Sequence, residues 1–138
     1  MTRNQANAEM VAALRRAGIK DAMAVQHPMA VRTATFGDKG WINVDLMLLD
    51  PRRRRDPKIK ICMYVNDAGR AYIKKLIQIG QSVRGVALER GNQFNGRQVR
   101  GVVYKLNTGI DWRQASKADF DKAAGIARDF KDAVSTVF

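Results

Sequence analysis

The sequence predicts an α+β domain that is mainly β: a five-stranded OB-fold barrel with one inserted helix, plus an N-terminal and a C-terminal helix. Three observations predict it. Residues 41–49 and 58–65 alternate apolar and polar side chains, the period-two pattern of strands with one buried face. Residues 82–91 and 97–107 are two more strand-like runs, joined by the Asn-Gly loop "NQFNG". Between these pairs and at both ends, apolar residues recur at helical spacing beside capping residues. A three-stranded meander, a linking helix and a closing hairpin follow the order of an OB barrel. The 138 residues suffice for one domain, with its core over about 29–106 and its last helix over about 116–137.

Each element has a local reason. Met10, Val11 and Leu14 share a helical stripe over 7–18, and Gly18 stands where a C-terminal cap belongs. Residues 29–36 are rich in β-formers, and "GDKG" then turns the chain. In 41–49, Ile42, Val44, Leu46 and Leu48 point one way, and Trp41, Asn43 and Asp45 the other. In 58–65, Ile59, Ile61, Met63 and Val65 share one face, and Lys58, Lys60, Cys62 and Tyr64 share the other. These two runs read as a hairpin closed by "DPRRRRDP", whose Asp-Pro pairs stiffen it because proline fixes φ. Asn66 caps a helix with the stripe Ala68, Tyr72, Ile73, Leu76 and Ile77, which Gly80 ends. Ser116 caps the last helix, and Asp119 completes a capping box. Phe120, Ala123, Ala124, Ala127, Phe130, Val134 and Val137 form its stripe.

The net charge is +12, and it is concentrated. Residues 51–105 hold 14 Lys and Arg against 3 acids, a surplus of +11, so the rest of the chain is nearly neutral. Such a block attracts polyanions, nucleic acid before an anionic membrane surface. No apolar run approaches the roughly 20 residues of a membrane span. The first residues lack a signal-peptide pattern, so a soluble, cytoplasmic protein is expected. Cys62 and His27 are each alone of their kind, whereas a zinc site needs about four N or S ligands. No metal or cofactor is expected. The chain has no HxE with CxxC, no phosphate loop with GK[ST], and no Cys/His or Ser/His pairing. Asp45, Asp50 and Asp56 offer carboxylates to Mg²⁺, but Asp50 and Asp56 precede proline and read as turn residues. A binding protein is expected rather than an enzyme, with no small-molecule substrate.

Holding a single nucleic-acid strand takes cations that track phosphates and aromatic faces on which bases stack. Trp41, Lys58, Lys60 and Tyr64 lie on the outward faces of their strands. Arg52, Arg53, Arg54 and Arg55 form the hairpin tip and read as a phosphate clamp, with a targeting tag as the generic alternative. The second hairpin brings Arg84, Arg90, Arg97, Arg100 and Lys105, with Phe94 at its tip, and Phe36 sits near the first turn. Phe94, in a polar loop, suits stacking or a subunit contact, and Tyr64 suits stacking or core equally. Tyr72, Tyr104, Phe120 and Phe130 read as core, and Trp112 as packing between barrel and last helix. Arg70, Lys74 and Lys75 read as the wet side of their helix.

The stretch from "GWINVDLMLLD" through "AGRAYIKKLIQIGQSV" to "RQVRGVVYKL" resembles, in pattern and element order, the core of the bacterial single-stranded DNA-binding protein family. The resemblance covers roughly residues 29–106. It implies an OB fold that coats single-stranded DNA, or RNA, without strong sequence preference. It further implies homo-oligomers and a role in replication, recombination or transfer, as in divergent phage and mobile-element versions, close to the nucleoid. Two features depart from the family. A helix over 7–18 replaces its N-terminal strand, and "ARDFKDAVSTVF" reads as helix instead of a flexible linker with an acidic tip. Two other readings fit the same pattern. One is a dimeric sheet-and-helix protein of the Whirly-like transcription-coactivator type. The other is a basic nucleoprotein component or interaction protein that binds an acidic partner.

Overall fold

Thr2 starts the first helix. Its hydroxyl accepts from the Gln5 backbone N–H at 3.1 Å, and the Gln5 side chain accepts from the Thr2 N–H at 2.8 Å. This capping box carries helix α1 over Arg3–Arg16, ahead of the start that the apolar stripe alone marks. The computed structural model describes residues 1–25, 30–48, 50–53 and 56–138. The expectations that fall on His27, Met29 and Leu49 lie outside the described residues. After α1 come β1 (Met23–Val25), β2 (Ala30–Phe36), β3 (Gly40–Leu46) and β4 (Lys58–Val65). A 3₁₀ turn, Asp67–Tyr72, leads into α2 (Ile73–Ser82), followed by β5 (Ala87–Arg90), β6 (Val102–Asp111) and α3 (Lys117–Ser135).

The fold is α+β. All strand pairs are antiparallel, and the six strands lie in the order β1-β2-β3-β4-β6-β5. Strands β1 and β5 are the edges, and no pairing among the described residues joins them. An open six-stranded sheet therefore stands where a five-stranded barrel was expected. The physical reason lies in what covers the apolar face. A barrel buries that face against itself, whereas here α1 and α3 bury it. The additional strand β1, three residues long, extends the meander at one edge.

The two strand runs with clear alternation pair as the expected hairpin, with Leu46 opposite Ile59, Val44 opposite Ile61 and Ile42 opposite Met63. These six side chains are fully buried under the helices. Val31 and Ala34 of β2 join them although they stand three apart, because a bulge between Arg32 and Ala34 shifts the phase of the strand. Ala6, Met10, Ala13 and Leu14 cover this face from α1, and Phe120, Ala123, Ala124, Ala127, Phe130 and Val134 from α3. Helix α3 has the anticipated start, with Ser116 and Asp119 in a reciprocal capping box. The Trp112 indole N–H donates to the Met47 carbonyl at 2.6 Å and ties the end of β6 to the end of β3.

Helix α2 continues to Ser82, past Gly80. Gly80 is not a cap: it lets α2 approach β6, where a Cβ would stand 2.6 Å from the Tyr104 ring. The Tyr104 hydroxyl donates to the Leu76 carbonyl in the same contact. Asn66 has the extended backbone of a cap, but its side chain makes no capping bond, and the helix begins through the 3₁₀ turn. No helix among the described residues is long and apolar enough to cross a membrane.

Two glycines test this packing in opposite directions. Gly80→Ala is expected to lower the unfolding free energy by about 1–3 kcal/mol, through overpacking against Tyr104. Gly125→Ala, inside α3 with nothing within 4 Å of its Cβ position, is expected to raise it by about 0.5–1 kcal/mol. Urea denaturation of both variants beside the wild type checks the pair; similar shifts of one sign would contradict this account of Gly80.

Candidate nucleic-acid interface

The face of the sheet away from the helices is built from cross-strand rows. The register places Met23, Arg32, Asn43, Cys62, Lys105 and Glu89 in one row. A second row holds Val25, Ala30, Asp45, Lys60, Asn107 and Ala87. Thr35, Trp41, Tyr64 and Val102 form a third row. Lys58 stands opposite Asp111 at the other end. Side chains directly opposite one another share a face, so most of the outward residues named from β3 and β4 come together here.

The third row carries the aromatic feature. The Trp41 and Tyr64 rings are stacked, with centroids 4.8 Å apart and planes 3° from parallel. That separation equals the spacing of neighbouring strands, so both rings stand on edge above the sheet. One face of Trp41 meets Tyr64. The other looks toward β2, where the Arg32 guanidinium lies 5.3 Å from the Trp41 centroid. Arg32 is held there by its Nε, which donates to Asn43 Oδ1 at 2.8 Å. Trp41 is thus enclosed on both sides, and Tyr64 offers the outer ring face of the stack.

The middle of this face is electrically self-contained. Lys60 Nζ donates to Glu89 Oε1 at 2.7 Å and lies 3.5 Å from Asp56 Oδ1. Asn107 donates to the other oxygen of Glu89 at 3.1 Å. Lys60 is therefore buried and doubly paired, which corrects its reading as a free phosphate contact. Beneath these longer side chains, the Cys62 thiol donates to Asp45 Oδ2 at 3.5 Å. Burial pushes the Asp45 carboxyl up from its ordinary value, while the Cys62 bond, Lys105 and Arg3 pull it partly back. Burial, then the Asp45 charge, also pushes the Cys62 thiol well up. The Tyr64 phenol is raised, first by burial.

The solvent-facing cations stand at the two ends. Beyond Leu46, Pro51–Arg53 make a 3₁₀ turn. Asp50 Oδ1 accepts from the Arg52 N–H at 3.2 Å, the turn role expected of an Asp before Pro. Arg52 and Arg53 are exposed, with Arg53 3.7 Å from Asp50. Arg54 and Arg55 lie outside the described residues. At the opposite end, loop 91–101 presents exposed Arg97 and Arg100. This loop is closed by Gln93, whose amide N–H groups donate to the Gly101 carbonyl at 2.7 Å and the Val65 carbonyl at 3.4 Å. Lys58 and Lys105 are half-buried on the face itself.

Other candidates stand elsewhere. Phe36 faces the helical layer, its ring 5.4 Å from Phe138, because the bulge in β2 returns it to that side. Phe94 is half-buried against the core under Arg90, whose guanidinium lies 4.9 Å from the ring centroid, so it is no free loop-tip platform. Arg84 borders a groove of about 750 Å³ between α2 and α3, on the helical side. Arg32, Asn43, Gln93 and Arg70 complete the arrangement without having been singled out for it. Continuing the alternation from Val31 exposes Arg32; the bulge at the next residue hides that signal. Gln93 is a loop residue, and nothing in its sequence neighbours marks it. Among the described residues, no group of three His, Cys, Asp or Glu is placed to hold a metal ion.

Compared with family models, curated proteins and solved structures, the chain matches none.

The Asp45 environment has a measurable consequence. Its folded carboxyl titrates above its unfolded value, so the charged form costs stability once pH rises through the folded value. Asp45→Asn is expected to be more stable than the wild type at neutral pH. The advantage should vanish on acidification below about pH 4, where both states of the wild-type carboxyl are protonated. Urea midpoints across this range read the effect, and an advantage that persists in acid would refute the assignment.

Proposed function

We propose that the protein binds single-stranded nucleic acid, DNA in the first place, along the helix-free face of its sheet. One observation carries the reading: a stacked Trp41–Tyr64 pair stands on that face between two arginine-bearing loops. The stack offers a π surface, and stacking barely distinguishes one base from another. The loops at 50–53 and 91–101 supply exposed cations at opposite ends of the face. The paired Lys60, Glu89 and Asp56 between them leave the middle neutral. A strand laid along β4 would have its backbone drawn to both loops while a base meets the outer face of Tyr64, with Trp41 behind it. Binding of this kind is sequence-tolerant and falls with salt, because phosphate contacts release counterions.

The architecture supports one sub-reading over another. An open sheet with its helices on one face resembles the Whirly-like sheet-and-helix arrangement more than a closed OB barrel. The barrel family remains the source of the resemblance in element order. Homo-oligomer formation, which both families imply, belongs to the same proposal.

The test is a titration of labelled oligo-dT and duplex DNA at two salt concentrations. Trp41 is the reporter in a Trp112→Phe background, since Trp112 is buried. Tighter binding to the single strand, with quenching and a steep salt slope, is expected. Tyr64→Ala should weaken binding by about 1–3 kcal/mol, the worth of one stacked base. Replacing Arg52 and Arg53 by Ser should lower the salt slope by about one for each phosphate that the turn no longer neutralises. Equal affinity for duplex, or binding indifferent to salt, would overturn the reading.

A further inference from the structure

We infer that the groove between α2 and α3 is the contact surface of a two-fold dimer of this chain, in which the α2 wall of each copy lies on the α3 wall of the other. The inference rests on the homo-oligomer part of the proposed reading and deepens it by giving it an interface. The groove has a volume of about 750 Å³ and lies on the helical side of the sheet, away from the Trp41–Tyr64 stack. A second copy seated there leaves the helix-free face of both copies open.

One apolar stripe is enough to fix an amphipathic helix to its core. Both helices here carry a second apolar column beside that stripe. On α3, Phe120, Ala123, Ala127 and Val134 are buried, whereas Ile126 and Ala133, with Val137 just past the helix end, are half-buried. On α2, Ile73 and Leu76 are buried, whereas Ile79, with Val83 just past the helix end, is half-buried. These five half-buried side chains line the groove together with Phe130. Contiguous apolar surface of this kind marks an interaction site.

The charges on the walls select the occupant. Lys75 and Arg84 line the α2 side, are exposed, and form no ion pair among the described residues. Asp129 lines the α3 side, with its side chain 75% exposed and 3.2 Å from its chain neighbour Arg128. An exposed ion pair is weak, so this carboxylate is open to a further cation. The two walls thus carry opposite charge. A uniformly acidic segment in the groove would meet Asp129, and a uniformly basic one would meet Lys75 and Arg84. A second copy turned about a two-fold axis answers both, because an isologous contact sets each wall against its opposite. The same rotation lays the apolar columns on one another. Gln78, Ser82 and Thr136, the other polar residues of the lining, are uncharged and oppose neither wall.

Sedimentation equilibrium tests the inference, with 15.5 kDa as the mass of one copy. The wild type is expected to be a dimer at micromolar concentration. Two charge reversals on exposed residues should each break it: Lys75→Glu together with Arg84→Glu, and separately Asp129→Arg. Each sets like charges across the two-fold, and the dimer dissociation constant is expected to rise by about tenfold or more. Mixing the two variants in equal amounts should restore a dimer, because every contact in the mixed pair is again between opposite charges. Restoration also shows that both variants fold. A wild type that stays monomeric, variants that stay dimeric, or a mixture that stays monomeric would each overturn the inference. Oligo-dT titrated against the wild type separates the two readings. If it binds while the dimer outcomes fail, the single-strand reading stands without this interface. If it does not bind while the mixture regains a dimer, the interface stands and the single-strand reading falls.

Discussion

The sealing of one face of β3 and β4 under α1 and α3 is the constraint on which the rest of this structure depends. Ile42, Val44 and Leu46 interlock with Met63, Ile61 and Ile59 in strict register. A slip of β4 by one residue would exchange its two faces. It would place Tyr64 and Lys60 against the helices, where Lys60 would lose Glu89 and Asp56. The hydrophobic alternation thus does two things at once: it anchors the core, and it delivers the polar and aromatic side chains to the opposite face.

That opposite face solves a problem of its own. Short polar side chains, Asn43, Asp45 and Cys62, lie at the centre of a wide sheet without a helix above them, yet all are buried. Long neighbours close over them: Arg32 on Asn43, Lys60 on Glu89, and Trp41 against Tyr64. Lys60, Glu89 and Asp56 neutralise one another, and the exposed arginines Arg52, Arg53, Arg97 and Arg100 stand on the loops at the ends of the face. The electrostatic pattern is therefore two positive ends flanking a neutral aromatic middle, not a uniformly basic sheet. Under the proposed reading a polyanion is drawn to the ends of the face, where the arginines are exposed.

The loop 91–101 depends on backbone freedom as much as on contacts. Gly96 and Gly101 have positive φ, and a Cβ at Gly101 would enter the Asn92 side chain. Asn92 in turn donates to the Arg100 carbonyl at 2.6 Å, so the loop is folded onto itself before any ligand arrives. This order holds Gln93 inward while Arg97 and Arg100 point to solvent.

The sequence by itself determined the α+β class, the 58–65 strand to the residue, the pairing of the two hairpins, and the capping box and buried stripe of the last helix. These are local matters: period, propensity and caps act between residues close in the chain. It also placed Trp41 and Tyr64 on one outward surface, because alternation carries through a regular hairpin. Tertiary structure alone decided the rest. Whether the sheet closes depends on what covers its apolar face, and only the packing of α1 and α3 answers that. Lys60 read as free until Glu89, 29 residues away, reached it. Phe36 read as exposed until a bulge turned it toward Phe138. Gly80 read as a helix end until Tyr104 of β6 required the close approach. In each case the deciding partner is distant in the chain, and neither period nor composition carries information about it.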